Sequence, residues 1–225
     1  MKKAFVFIII AAIAAVACIP RSADGYKVYG EAEMKKYSVV LDAGHGGTDG
    51  GAIGLTTGCK EADINLNVTL KVKVLLESTG VRVVLTRPDE GSLCGEPYSK
   101  QRDMQLRAKL IEDAAPDVVV SVHMNSYPDA SVKGAQVFYY PDSESGRELA
   151  QSIQQSFISF VDGNNKRVVK EGDFFLLRTY AGPSALVECG FLTCPQEEKL
   201  LLKDEYQDLV AYSIFNGIMQ YLMML

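Results

Sequence analysis

Val39-Val40-Leu41-Asp42-Ala43-Gly44-His45-Gly46-Gly47 is an apolar run that leads directly into a glycine-rich turn carrying a histidine. A second apolar run, Val118-Val119-Val120-Ser121-Val122-His123, also ends in a histidine. Short apolar runs of this kind are typical of buried strands in a parallel sheet. Active sites of α/β proteins form outside the carboxyl ends of such strands, so His45 and His123 are predicted to lie at one edge of the sheet.

Strands and helices are predicted to alternate along the rest of the chain. Glycine fills six of the eleven positions 44–54, which indicates a tightly turning loop. Asp63 is a candidate N-cap for a helix that extends to about Thr79, with Leu66, Leu70 and Val74 on its apolar face. Further predicted elements are strands at 81–86, 134–140 and 184–188, an extended segment at 174–177, a loop at 161–172, and helices at 99–114, 143–160, 196–202 and 204–222. This alternation predicts one α/β domain with a mostly parallel sheet.

Composition narrows the class of protein. Hydrophobic residues make up 48% of the 225 residues and charged residues 23%, as expected for a globular domain with a core. The net charge is -5 and the basic residues are scattered, so a nucleic-acid partner is not expected. Apart from Cys18, four cysteines show no disulfide framework, and Cys189 is predicted to be a buried free thiol.

The N-terminus has the pattern of an export signal. Lys2 and Lys3 precede an apolar run at 4–18, and Ile19-Pro20-Arg21-Ser22 ends it. Residues 1–24 are therefore predicted to be a signal peptide, with an uncleaved anchor or lipidation at Cys18 as alternatives. Residues 25–37 are a polar lead-in. Each alternative places the folded part outside the cytoplasm and limits membrane contact to the N-terminal segment.

The two histidines are a hypothetical pair of metal ligands. Two imidazoles alone bind zinc poorly, and catalytic zinc sites usually have three protein ligands and one open position. Glu61 is the proposed third ligand, because it follows the glycine loop and precedes the predicted helix. The alternative is that Glu61 only complements the helix dipole.

Glu188 is a second candidate for chemistry. It lies in the apolar stretch Ala185-Leu186-Val187-Glu188-Cys189, where a carboxylate is costly unless it is paired or functional. At a strand end beside a metal it is suited to accept a proton from water. The alternative is a strand-end glutamate that faces solvent.

Other polar residues near the predicted strand ends have weaker assignments. Asp42 is placed either as an acceptor that orients His45 or as a turn residue, and Asp49 as a turn residue. Asn125 is expected to fix the loop after its strand. The remaining candidates either contact an anionic substrate or are surface or salt-bridge residues: Arg87, Arg102 and Arg107.

The ordered set of these segments is similar to the zinc-dependent N-acetylmuramoyl-L-alanine amidases of bacterial cell walls (amidase type 3). The similarity extends from about residue 38 to 222. The segments that carry it are Leu41-Asp-Ala-Gly-His-Gly-Gly-Thr-Asp-Gly-Gly-Ala-Ile-Gly54, Lys60-Glu61, Asn65-Leu66, Val84-Leu85-Thr86-Arg87, Ser121-Val122-His123-Met124-Asn125-Ser126, Lys133-Gly134-Ala135-Gln136-Val137 and Leu186-Val187-Glu188-Cys189-Gly190-Phe191-Leu192.

The resemblance implies a single sheet of about six strands flanked by helices, and it implies a function for these residues. His45, Glu61 and His123 would bind one Zn²⁺, and Glu188 would be the catalytic glutamate of a catalytic domain at 38–222. The substrate would be the amide bond between N-acetylmuramic acid and L-alanine in peptidoglycan. Two alternatives remain: another zinc peptidoglycan hydrolase, such as a carboxypeptidase or deacetylase, or a non-catalytic protein that binds peptidoglycan or a partner.

The chain also resembles a particular subtype of this family. It looks like a bare catalytic domain behind a signal, as in the amidases that trim spore-cortex peptidoglycan before muramic-δ-lactam formation. The subtype implies a role in sporulation and germination, and an exported accessory or activating protein. The expected location is secreted, membrane-anchored or in the spore intermembrane space.

Overall fold

The computed structural model describes residues 37–225. The predicted signal or anchor at 1–24, including Cys18, and the lead-in up to residue 36 lie outside the described residues. Within the described part, no helix has the length and apolar character needed to cross a membrane. The four cysteines of this part are all free thiols, and Cys189 is buried as predicted.

The described residues alternate between strands and helices. The strands are β1 (Ser38–Ala43), β2 (Arg82–Leu85), β3 (Val118–Asn125), β4 (Gln136–Tyr139), β5 (Lys170–Glu171) and β6 (Ser184–Phe191). The helices are α1 (Glu61–Ser78), α2 (Lys100–Ala114), α3 (Glu144–Phe160), α4 (Phe175–Thr179), α5 (Pro195–Leu201) and α6 (Asp204–Leu222). The predicted α/β class and the six-stranded sheet are confirmed.

The six strands form one sheet in the order β2-β1-β3-β6-β4-β5. β1 pairs in parallel with β2 and β3, and β3 pairs in parallel with β6. β4 is antiparallel to β6 and parallel to β5, so the sheet is mostly parallel. This order places the carboxyl ends of β1, β3 and β6 side by side at one edge.

Helices cover both faces of the central strands, which explains why those strands are mostly apolar. Val39 and Leu41 of β1 belong to the larger core, beneath α1, α3 and α6. Val40 alternates to the opposite face, where it packs with Ile111 of α2 and Leu176 of α4. All six residues of β1 are buried.

Several predicted elements differ from the structure. α1 begins at Glu61 rather than near Asp63, and Val74, predicted to be on its apolar face, is 65% exposed. Residues 174–177, predicted to be extended, enter the short helix α4. The predicted loop at 161–172 contains β5 at its end. Strand β6 continues beyond Glu188 to Phe191.

Candidate metal centre

Two neighbouring strands and one turn bring the candidate residues together. His45 follows β1 in a left-handed conformation (φ 63°), which is uncommon for a residue with a side chain and is frequent at functional sites. His123 lies in β3 directly opposite Glu188 of β6. The pairing shifts just beyond this point, between His123 and Asn125, as β-bulges beside active sites do.

Glu61 completes a compact cluster with the two histidines. It is buried in the first turn of α1, with Oε1 2.9 Å from His123 Nδ1 and Oε2 3.3 Å from His45 Nε2. The candidate ligand atoms of the three residues all lie within 4.8 Å of one another. The structure therefore brings together the three residues that the sequence nominated as ligands.

Both oxygens of the Glu61 carboxylate accept hydrogen bonds from the protein. Its Oε1 accepts hydrogen bonds from Asn65 Nδ2 (3.1 Å) and from the Met124 backbone N–H (3.1 Å). Its Oε2 accepts one from the Ala52 N–H (2.7 Å). Burial alone would raise the pKa of Glu61, but hydrogen bonds with His123 and His45 hold that pKa well below its usual range. The side chain is thus a fixed anion that faces two imidazoles.

Two glycines allow the loop to pass close to this cluster. A Cβ on Gly44 would lie 2.2 Å from Cε1 of His123. A Cβ on Gly51, whose φ is +68°, would lie 2.5 Å from Oε2 of Glu61. The glycine-rich turn therefore supplies both a left-handed backbone and the space for the candidate ligands.

A buried ionic network lies beneath the His45 turn. Asp42 accepts hydrogen bonds from Thr86 (2.6 Å), Ser121 (2.5 Å) and Arg107 (2.7 Å), and these contacts leave no role for it in orienting His45. Arg107 also donates to the backbone carbonyls of Ala43 and His45. Asp42 therefore has neither predicted role: it lies in β1 rather than in a turn, and its described hydrogen bonds anchor the arginine that supports the turn instead of reaching His45.

Arg87 supports the same turn by a different route. Its guanidinium donates to the backbone carbonyls of Ala43 and Gly44 at the end of β1, and to that of Ala62 in α1. The side chain is 2% exposed, so it is a structural residue rather than a surface or substrate contact. Arg102, in contrast, is exposed.

Glu188 has the opposite environment to Glu61. Its Oε2 is buried without any hydrogen-bond partner, unlike nearly all buried polar atoms in proteins. Burial raises the pKa of Glu188 to about 7, although the nearby His123 lowers it. Glu188 lines a cleft of about 580 Å³ together with His45, Glu61 and His123. A buried, unpaired carboxyl at the wall of a cleft is a functional-site signature.

Comparison with known protein families identifies the family to which this fold belongs. The family model described as N-acetylmuramoyl-L-alanine amidase matches residues 39–220. The chain belongs to this family. It is 35% identical over 188 residues to the germination-specific N-acetylmuramoyl-L-alanine amidase of Bacillus subtilis, covering 81% of this chain and 78% of that protein.

Solved structures agree with this amidase assignment. The CwlD amidase of Clostridioides difficile, solved in complex with the GerS lipoprotein, is 38% identical with a TM-score of 0.81. That alignment covers 84% of this chain and 99% of the CwlD chain. An N-acetylmuramoyl-L-alanine amidase of Clostridium difficile 630 is 33% identical with a TM-score of 0.74, over 83% of this chain and 97% of that one. The chain is thus an amidase that acts on peptidoglycan.

The donor set of this amidase fits a zinc ion. Two imidazoles and one carboxylate are a common ligand set of catalytic zinc sites that keep a fourth position open. The cluster lies in the wall of the cleft, so a ligand there is within reach of a substrate. The fixed Glu61 anion compensates part of the charge of a divalent cation. The unpaired Glu188 oxygen lines the same cleft.

Sequence reasoning missed two residues of this site. Asp49, predicted to be a turn residue only, has its Oδ2 3.0 Å from His45 Nδ1 while its Oδ1 accepts the Gly51 N–H. Tyr98 donates its hydroxyl hydrogen to Asp49 Oδ2 at 3.0 Å. Asn125 acts as predicted, since its Oδ1 accepts the N–H of Ser126 in the loop after β3.

Proposed function

We propose that this amidase is zinc-dependent, with His45, Glu61 and His123 as the metal ligands and Glu188 as the proton-transferring residue. The observation that carries the proposal is the juxtaposition of a compact His-Glu-His cluster and an unpaired carboxyl oxygen in one cleft. The bond cleaved is the amide between the lactyl group of N-acetylmuramic acid and L-alanine of the stem peptide.

The roles follow from the environments of the side chains. When bound, zinc supplies a Lewis acid that lowers the pKa of water and polarises the scissile carbonyl. His45, Glu61 and His123 hold that ion at the edge of the sheet, and the hydrogen bonds to Glu61 keep it ionised and fixed. Glu188 takes a proton from the attacking water and returns it to the leaving amine of L-alanine.

A general base works best when its pKa is near the working pH. Without a metal, burial raises the pKa of Glu188 to about 7, and the charge of a bound zinc ion would lower it from there. A carboxyl with several hydrogen-bond donors would favour its ionised form and return the proton poorly. The absence of a partner on Oε2 therefore favours Glu188 for both acceptance and donation.

We further propose that the substrate is spore-cortex peptidoglycan, where peptide removal precedes muramic-δ-lactam formation. The similarity to a germination-specific amidase and to CwlD supports this proposal. The CwlD relative was solved with a lipoprotein, which supports the proposal that an exported accessory protein acts with this chain. The protein would work outside the cytoplasmic membrane, where peptidoglycan lies.

The reaction is tested by analysing the products from purified peptidoglycan, with and without added zinc. The proposal predicts soluble peptides with a free L-alanine amino terminus, and glycan chains that keep a lactyl carboxylate. Release of a single C-terminal amino acid would indicate a carboxypeptidase, and release of acetate a deacetylase. Binding to peptidoglycan with none of these products, with zinc supplied, would contradict hydrolysis.

The cortex proposal needs its own comparison. Cortex and vegetative peptidoglycan are digested under the same conditions, each with and without extract of exported sporulation proteins. The proposal predicts faster peptide release from cortex, increased by the extract. Equal or faster release from the vegetative wall in both conditions would contradict the cortex assignment but leave the amidase chemistry intact.

A further inference from the structure

His45 presents its two ring nitrogens to two different carboxylates. Nε2 lies 3.3 Å from Oε2 of Glu61, inside the candidate metal cluster, whereas Nδ1 lies 3.0 Å from Oδ2 of Asp49, outside it. An imidazole that binds a metal through one nitrogen carries its proton on the other. The acceptor of that proton decides which nitrogen is free to bind and how the ring is oriented.

Asp49 is itself held in place by two donors. The Tyr98 hydroxyl donates to Oδ2 at 3.0 Å, and the Gly51 backbone N–H donates to Oδ1 at 3.1 Å. Both carboxylate oxygens are therefore used as acceptors. His45 Nδ1 lies 3.0 Å from Oδ2, which has a second lone pair to accept a hydrogen bond beside that of Tyr98.

We propose that Asp49 is a positioning residue that accepts the Nδ1 proton of His45 and holds Nε2 toward the metal, and that Tyr98 fixes the Asp49 carboxylate. The inference rests on the proposed metal site. Tyr98 lies in the loop between β2 and α2 and lines the cleft. Through Asp49, this cleft residue therefore affects the orientation of the His45 ring.

The first test is zinc affinity, measured on the whole protein by competition with a chelator. Asp49→Ala is expected to weaken zinc binding about 10- to 100-fold, as loss of such outer partners usually does. Asp49→Asn is expected to weaken zinc binding similarly. The NH₂ group of asparagine would face either His45 Nδ1 or the Gly51 N–H, so one of these two donors would lose its acceptor. Tyr98→Phe is expected to weaken zinc binding about fivefold, as for one lost hydrogen bond.

Asp89→Ala is the matched control. Asp89 accepts the N–H of Gly91 two residues on (2.9 Å), just as Asp49 accepts that of Gly51. Asp89 differs in that none of its described contacts is with a histidine. Asp89→Ala is expected to bind zinc like the unchanged protein. Comparison of Asp49→Ala with Asp89→Ala therefore separates the loss of a turn hydrogen bond from the loss of the contact with His45.

The second readout reports the Nδ1 proton directly. His45 and His123 are the only histidines in the chain. Nitrogen-15 spectra of the zinc-loaded protein with labelled histidines therefore contain signals from only two imidazole rings. The expected result is a proton on Nδ1 of His45 that is protected from solvent exchange. This protection is expected to be lost in Asp49→Ala and retained in Asp89→Ala.

The outcomes separate the inference from the proposed metal site. Unchanged affinity and proton protection in Asp49→Ala would overturn the positioning role, as would an equal loss in Asp89→Ala. If Asp49→Ala does not fold, Tyr98→Phe decides, and unchanged affinity and protection there would overturn the inference. An unchanged protein that binds no zinc would overturn both the metal site and this inference.

Discussion

Two glutamates on the same cleft, the buried Glu61 and the partly buried Glu188, have opposite surroundings. Glu61 accepts three hydrogen bonds from protein N–H groups and faces two imidazoles, and its pKa is lowered. Glu188 has an oxygen with no partner, and burial raises its pKa to about 7. The residue type is the same, so the difference comes from the surroundings: hydrogen bonds and imidazoles lower the pKa of Glu61, and burial without such partners raises that of Glu188.

This contrast supports the different task that we propose for each carboxylate. A group saturated with donors keeps one charge state and one position, as a metal ligand requires. A group without donors has two charge states close in energy, as proton transfer requires. Pairs of titratable groups whose environments separate their pKa values are the usual sign of such a division of roles.

Glu188→Gln is expected to have the largest effect. The amide has the same shape but cannot accept a proton, so turnover should fall about 10²- to 10⁴-fold, the usual contribution of a general acid or base. Zinc binding should be unchanged, since the ligand cluster is untouched. Peptide release and zinc content measure the two effects. Substantial remaining release would remove Glu188 from the proton-transfer role.

Glu61→Gln is expected to affect metal binding first. Its NH₂ group would face either the Ala52 N–H or the two donors of Asn65 and Met124, so each orientation opposes at least one donor. Zinc affinity should fall more than about 100-fold, beyond the usual effect of losing an outer partner. Chelator competition measures this, and a variant that binds zinc normally would contradict the ligand role.

The Asp42–Arg107 pair is expected to make stability depend on pH. Burial alone would raise the pKa of Asp42, but Arg107, Ser121 and Thr86 lower it to about 2. Because the folded pKa lies below the unfolded value of about 3.9, Asp42 stabilises the fold by about 2 to 3 kcal/mol above about pH 5. This contribution is lost as the pH falls toward about 2.

Urea unfolding of the zinc-free protein across this pH range measures the effect. Asp42→Asn is expected to be less stable at neutral pH and to lose less stability on acidification than the unchanged protein. Parallel pH curves for the two proteins would show that Asp42 does not carry the dependence. Zinc is removed from both samples so that protonation of the ligands does not enter the comparison.

Gly44→Ala is expected to have the smallest effect. Its added carbon would lie 2.2 Å from the His123 ring, so the ring must shift and zinc affinity should fall about tenfold. Gly163→Ala is the control, because a Cβ there meets only the Ile158 carbonyl at 3.8 Å. Equal zinc affinity in both variants would show that His123 tolerates displacement.

The central site could be predicted from the sequence because its signals are local. An apolar run followed by histidine places His45 and His123 at strand ends, and a carboxylate inside an apolar stretch marks Glu188. The positions of Asp49 and Tyr98 could not be predicted in this way. They are 49 residues apart, and only the packing of two loops brings their side chains together.

The errors in the helices have physical causes. α1 begins after Lys60, which offers no side-chain cap, so the nearby Asp63 gave a misleading start signal. Leu66 and Val74 are separated by two steps of four residues. Each such step rotates about 40° beyond one full turn, which carries Val74 off the buried face. The five-residue helix α4 is too short to show a helical period.

The most direct test of the central claim is the zinc content of Glu188→Gln and Glu61→Gln, prepared side by side and dialysed against the same zinc buffer. The account predicts one zinc per chain in Glu188→Gln, as in the unchanged protein, and almost none in Glu61→Gln. Loss of zinc from Glu188→Gln with retention in Glu61→Gln would contradict the assignment of the two carboxylates.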